Sequence, residues 1–203
     1  MKNAIGMAPH FSEITAAILA GGEGRRVGGE DKGLLLLAGR ALVEHVADAL
    51  RGQAGEIVIC ANRHRDEYAR CGRVIADAEP GFHGPLAGIA AALAHCAGPW
   101  LLTLPVDAPS PPRDLARRLL TAAQEKAAVA AVAHDGTRRQ PLFALYRSDL
   151  ARSAAAALDA NRPVHRWQDE AGAVEVDFSD RARSFANLNT LAEIREWERR
   201  HAD

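Results

Sequence analysis

The stretch LAGGEGRRVGGEDKG, residues 19–33, places five glycines ahead of Lys32 together with Arg25 and Arg26. Glycine lets successive backbone N–H groups turn toward one anion, and the three cationic side chains supply charge for two or three phosphates. Lysine occurs only at positions 2, 32 and 126, so its placement inside this loop stands out against an arginine-rich chain. The competing reading is a plain Gly-Gly turn with arginines on a solvated face. Two familiar phosphate motifs fail on detail. A P-loop needs Gly-Lys followed by Ser or Thr, whereas Lys32 lies between Asp31 and Gly33, and a dinucleotide fingerprint begun at Gly22 needs Gly or Ala where Val27 stands. Two carboxylates complete the chemical inventory. Asp107 follows the apolar run WLLTLPV and Asp77 follows RVIA, both at the ends of expected strands, where open α/β sheets bind their ligands. From the residues alone each has two readings: a metal- or nucleotide-binding carboxylate, or a residue that shapes the turn after its strand.

Apolar runs at 14–20, 56–61, 73–76, 100–104 and 128–133 read as strands and alternate with helical stretches at 41–53, 85–96 and 112–124. Proline opens the last two helices. Further on, 141–147 and the alternating 173–178 read as strands. Residues 148–160 and 190–200 read as helices capped by Ser148 and Thr190. This succession predicts a three-layer α/β domain with a mostly parallel, Rossmann-like sheet over residues 14–203, preceded by a loose extension, 1–13.

The composition narrows the function classes. A chain of 203 residues suits one domain. With 25 Lys plus Arg against 26 Asp plus Glu, it lacks the basic excess of a dedicated nucleic-acid binder. No apolar run approaches the about 20 residues of a membrane span, and residues 1–13 lack the apolar stretch of a secretory signal, so the expected location is cytoplasmic. Cys60, Cys71 and Cys96 suit neither a disulfide framework nor a metal site and are expected to be reduced.

LAGG followed by Arg25, Arg26, Gly28, Gly29, Asp31 and Lys32 resembles the N-terminal motif of the molybdenum cofactor guanylyltransferases. The similarity runs on through HVADAL (45–50), ICANRH (59–64), VIAD (74–77), GPLAG (84–88), LPVDAP (104–109), HDG (134–136), VDFSD (176–180) and FANLNT (185–190). The resemblance implies a nucleotidyltransferase of the nucleotide-diphospho-sugar-transferase type that joins GMP from GTP to molybdopterin and releases pyrophosphate. It makes Asp107 the expected Mg²⁺ ligand, with Arg26 and Lys32 beside it in catalysis. It assigns the nucleotide to Leu19, Ala20, Gly21, Gly22, Lys32, Cys60, Asn62, Asp77 and Asp107. Pro141, Arg162, Asn187 and Asn189 are assigned to the acceptor. Molybdopterin-insertion proteins and molybdoenzyme chaperones are the implied protein partners.

The chain departs from the family's pattern at Cys60, where relatives carry asparagine, and at Val27, where they carry methionine, while Asn62 is retained. A thiol donates and accepts only weakly, so the base would be read mainly by backbone groups. Asn189 also has a bland reading as the residue before a helix cap, and Arg162, before Pro163, as a turn residue. Two rivals stay open: a sister enzyme using CTP or another phosphorylated acceptor, and a catalytically silent protein that carries the cofactor. The presence of Lys32, Asp77 and Asp107 speaks against the silent protein.

Overall fold

The computed structural model describes residues 11–21, 31–76 and 84–200. The expected strands all form: β1 (Ile14–Leu19), β4 (Glu56–Cys60), β5 (Arg73–Ile75), β6 (Trp100–Pro105), β7 (Ala130–His134), β8 (Arg139–Arg147) and β9 (Val174–Asp177). They make one sheet in the order β5-β4-β1-β6-β8-β7-β9. β8 alone runs antiparallel to its two neighbours; the other pairings are parallel. The carboxyl ends of β1, β4, β6, β7 and β9 therefore share one edge with the amino end of β8. β1 is flanked by β4 and β6, the strand pair at which the order reverses, and this is the crevice where such sheets bind ligands.

Alternation along β1 sorts its side chains into the two layers. Ile14, Ala16 and Ile18 pack toward α1 (Leu42–Leu50) and α4 (Leu115–Glu125), with Val43, Val46, Leu50, Leu115 and Leu119. Ala17 and Leu19 face α3 (Pro85–Ala94), α5 (Ala151–Asp159) and α6 (Val164–Glu170), with Leu86, Ile89, Ala154 and Trp167. Pro85 opens α3 as expected. Among the described residues no helix is long and apolar enough to cross a membrane.

Several boundaries differ from the sequence reading, each for a physical reason. The helix expected from residue 112 begins at Leu115, and its first turn is capped from a distance: the buried Gln53 side chain accepts the Ala116 N–H at 3.1 Å and donates to the Pro112 and Ala49 carbonyls. Ser148 makes no side-chain cap; it begins a 3-10 turn, Ser148–Leu150, that leads into α5. The sequence reading did not separate a hairpin, β2 (Leu36–Leu37) with β3 (Arg40–Ala41), from the segment before α1, and it missed the one-turn helix α2 (Arg65–Tyr68) and α6. The hairpin packs on α7 (Leu191–Arg200) through Leu35, Leu37, Leu188 and Ile194, which brings α7 back to the segment that follows Lys32.

Candidate active site

The site forms where β1 and β6 end. Leu19 pairs with Cys60 on one side and Pro105 on the other, and the backbone continues the pairing past the strands: the Ala20 N–H donates to the Cys60 carbonyl at 3.0 Å and the Val106 N–H to the Leu19 carbonyl at 3.1 Å. Leu19 is thus held against the segment that carries Asp107, and Ala20 against the end of β4, with Gly21 next in the chain. Asn62 lies two residues beyond β4 on the same edge. Gly22, Arg25, Arg26 and Asp77 lie outside the described residues.

Asp107 stands in the turn after β6, but the turn itself is closed by backbone, from the Ala108 N–H to the Pro105 carbonyl at 3.4 Å. Its side chain is released for other work. Oδ2 accepts from the Lys32 ammonium at 2.5 Å, while Oδ1 is buried with no hydrogen-bond partner among the described residues. A buried carboxylate oxygen left so is costly and calls for a cation. Mg²⁺ is commonly held by one or two carboxylates plus substrate phosphates and waters, so the donor set suits it. No cluster of three His, Cys, Asp or Glu side chains among the described residues offers an all-protein alternative.

Lys32 opens a 3-10 turn, Lys32–Leu34, whose cap is Asp31. Besides Asp107 it donates to Oδ1 of Asn189 at 2.8 Å. Asn189 reaches this position because the Leu188 N–H is tied to the Asp107 carbonyl at 2.8 Å and because a capping box starts α7 immediately afterward. In that box Glu193 Oε2 accepts the N–H groups of Asn189 (2.5 Å) and Thr190 (2.9 Å), and the Thr190 hydroxyl accepts the Glu193 N–H at 3.2 Å. The backbone of Asn189 serves the helix start, as the cap reading expects, while its side chain faces Lys32. Asn187 stays close, its carbonyl accepting from Asn189 Nδ2 at 3.4 Å.

The remaining expected residues fall differently. Pro141 lies near the amino end of β8, on the site edge, with its carbonyl held by Gln168 Nε2 at 2.8 Å. Arg162, between α5 and α6, is ion-paired with Glu170 at 2.7 Å. Cys60 is 2% exposed; its side chain packs among Leu19, Gly88 and the α3 layer, and the thiol lies 3.4 Å from the Gly88 carbonyl. Those surroundings are those of a packing side chain. The sequence reading did not single out Tyr68, whose buried hydroxyl donates to Asp31 beside Lys32. The signal available was one aromatic in the otherwise charged run RHRDEY.

A family model described as "MobA-like NTP transferase domain" matches residues 16–174. Among curated proteins, a molybdenum cofactor guanylyltransferase of Shewanella putrefaciens is 43% identical over 182 residues, covering 89% of this chain and 93% of that protein. One of the same name from Shewanella sediminis is 41% identical over 180 residues, covering 88% and 92%. Among solved structures, molybdopterin-guanine dinucleotide biosynthesis protein A of Archaeoglobus fulgidus superposes with a TM-score of 0.76 at 22% identity, covering 93% of this chain and 98% of that one. A 2-C-methyl-D-erythritol 4-phosphate cytidylyltransferase of Thermus thermophilus gives a TM-score of 0.67 at 19% identity, over 92% and 98%. At these identities the two structures speak for the fold.

Proposed function

Given that the chain belongs to the MobA-like NTP transferases, and within them to the molybdenum cofactor guanylyltransferases, we propose that it transfers GMP from GTP to molybdopterin, releasing pyrophosphate, with Mg²⁺ as cofactor. The observation that carries this reading is the meeting of Lys32, Asp107 and Asn189 at the carboxyl edge of β1 and β6. A cation on a glycine-rich loop and a carboxylate with one unengaged buried oxygen are what a triphosphate and its metal require.

In the proposed reaction a phosphate oxygen of the acceptor attacks the α-phosphorus of GTP. The new P–O bond forms as the bond to the β-phosphate oxygen breaks, and pyrophosphate carries away the electron pair. The nucleophile belongs to the substrate, so the protein's task is to place two anions in line and offset their charge. Lys32 holds a fixed positive charge for the phosphates, helped by Arg26. Asp107 would hold Mg²⁺, which when bound neutralises charge on the triphosphate. Leu19, Ala20 and Gly21 offer backbone groups to the nucleotide, with Asn62 on the same edge, and Gly22 and Asp77, which lie outside the described residues, are assigned to the nucleotide by the family motif alone. Pro141, Asn187 and Asn189 line the acceptor side, and Arg162 joins them by exchanging Glu170 for substrate phosphate. Cys60 contributes through backbone rather than thiol.

The test is pyrophosphate release by the purified protein with molybdopterin, Mg²⁺ and GTP, CTP or ATP in parallel, with the dinucleotide product identified by mass. GTP is expected to be the preferred donor. A preference for CTP would transfer the protein to a sister activity, and no release with any nucleotide would favour a cofactor carrier.

A further inference from the structure

Tyr68, the last residue of α2, is fully buried, and its hydroxyl donates to Oδ1 of Asp31. The same oxygen accepts the Gly33 N–H at 3.2 Å, which closes the cap of the turn that begins at Lys32. The phenol reaches this point because position 33 carries no side chain: a Cβ there would stand 2.3 Å from the Tyr68 hydroxyl oxygen and 2.9 Å from Val106 Cγ2. Tyr68, Asp31 and Gly33 therefore interlock directly beside Lys32. A carboxylate adjacent to the lysine and free to swing would compete with phosphate for its ammonium. Two donors on Oδ1 keep Asp31 in the turn, and the ammonium is left to Asp107 and Asn189.

We propose that Tyr68 is a positioning residue for nucleotidyl transfer, holding the Asp31 carboxylate in the turn so that Lys32 is presented to the triphosphate. This rests on the reading of Lys32 as a phosphate-binding group. Burial, together with the neighbouring Asp31, pushes the phenol's pKa well above its ordinary value, so the hydroxyl remains a donor throughout the neutral range.

The experiment compares Tyr68→Phe with Lys32→Ala in the full chain, measuring affinity for GTP and for guanosine, kcat/KM for GTP, and melting temperature. Phenylalanine keeps the ring in its socket and removes only the donor. GTP affinity and kcat/KM are expected to fall about tenfold in Tyr68→Phe, with guanosine affinity unchanged. In an Asp31→Asn background the same substitution is expected to lose most of its effect, since the two residues act through one bond. If Lys32→Ala loses GTP affinity while Tyr68→Phe does not, Tyr68 is a core residue only and the proposal falls alone. Equal losses for guanosine and GTP in Tyr68→Phe, or full additivity with Asp31→Asn, overturn it in the same way. Undiminished GTP binding in Lys32→Ala removes the underlying reading and this inference with it.

Discussion

The ammonium of Lys32 stands 2.5 Å from Oδ2 of Asp107 although 75 positions separate them in the chain, and it ties the 3-10 turn that begins at Lys32 to the turn after β6. Neither group is fully buried, with side-chain exposures of 23% and 15%, so both remain within reach of a ligand from solvent. On the proposed reading, a triphosphate would contact the cation with phosphate and its Mg²⁺ would contact the carboxylate. The pair is thus matched in sign to both halves of that ligand.

Asp107→Asn removes the charge but keeps the shape, and the backbone tie from the Leu188 N–H to the residue 107 carbonyl is untouched. Transfer is expected to slow by about a hundredfold or more, with an unchanged circular dichroism spectrum. Turnover near the parent's rate would remove Asp107 from the metal site.

Glu193→Ala deletes the acceptor that orders the Asn189 and Thr190 N–H groups. Loss of a helix cap costs about 0.5–2 kcal/mol, and here it also unties the turn that presents Asn189 to Lys32. The melting temperature and the transfer rate should both drop, and Glu193→Gln, which retains an acceptor, should recover most of both. A parental melting curve for Glu193→Ala would show that the box contributes nothing.

Cys60→Asn tests whether the position reads the base. The side chain is sealed against Leu19 and Gly88, so an amide placed there is expected to lower stability by about 1–3 kcal/mol without tightening GTP. Urea unfolding and GTP titration on the same variant decide it: tighter GTP binding at unchanged stability would place the side chain at the nucleotide.

The only two tyrosines of the chain, Tyr68 and Tyr146, are both fully buried, and burial raises both phenol pKa values above 10.0. The unfolded chain ionises at the ordinary value and the folded chain later, so above that value the unfolded state binds fewer protons. The stability these groups contribute is complete below pH 10 and declines as pH rises further, by about 1.4 kcal/mol per pH unit for each tyrosine. Phenolate absorbance should appear together with unfolding, and Tyr68→Phe should reduce the tyrosine-dependent slope by half. Phenolate absorbance from a still-folded protein would contradict this.

Much of the fold could be read from the chain because it rests on local periodicity. The seven strands of the main sheet were legible as apolar runs, and α1, α3 and α7 as amphipathic or proline-opened segments, since burial on two layers demands those patterns. The loop that holds Lys32 was legible as a phosphate-binding candidate by residue type and spacing, whereas Asp107 kept two readings from the residues alone and gained a role only from the family resemblance. What the chain order could not show is set by long-range pairing. β8 runs antiparallel because it enters from the neighbouring β7 through a short turn, and an apolar strand carries no mark of its direction. The start of α4 is set by Gln53, a residue 63 positions from the N–H it caps, whereas Ser148, which has the right residue type for a cap, makes none. That the Cys60 thiol packs against the Gly88 carbonyl of α3 is likewise decided by a contact 28 positions away. Asn189 meets Lys32 across 157 positions because the hairpin, Leu188 and Ile194 form a small apolar cluster that folds α7 back onto the segment that follows Lys32. Residue types therefore specified which groups were available for chemistry, while the closure of non-local contacts, which no local pattern encodes, decided which of them stand together.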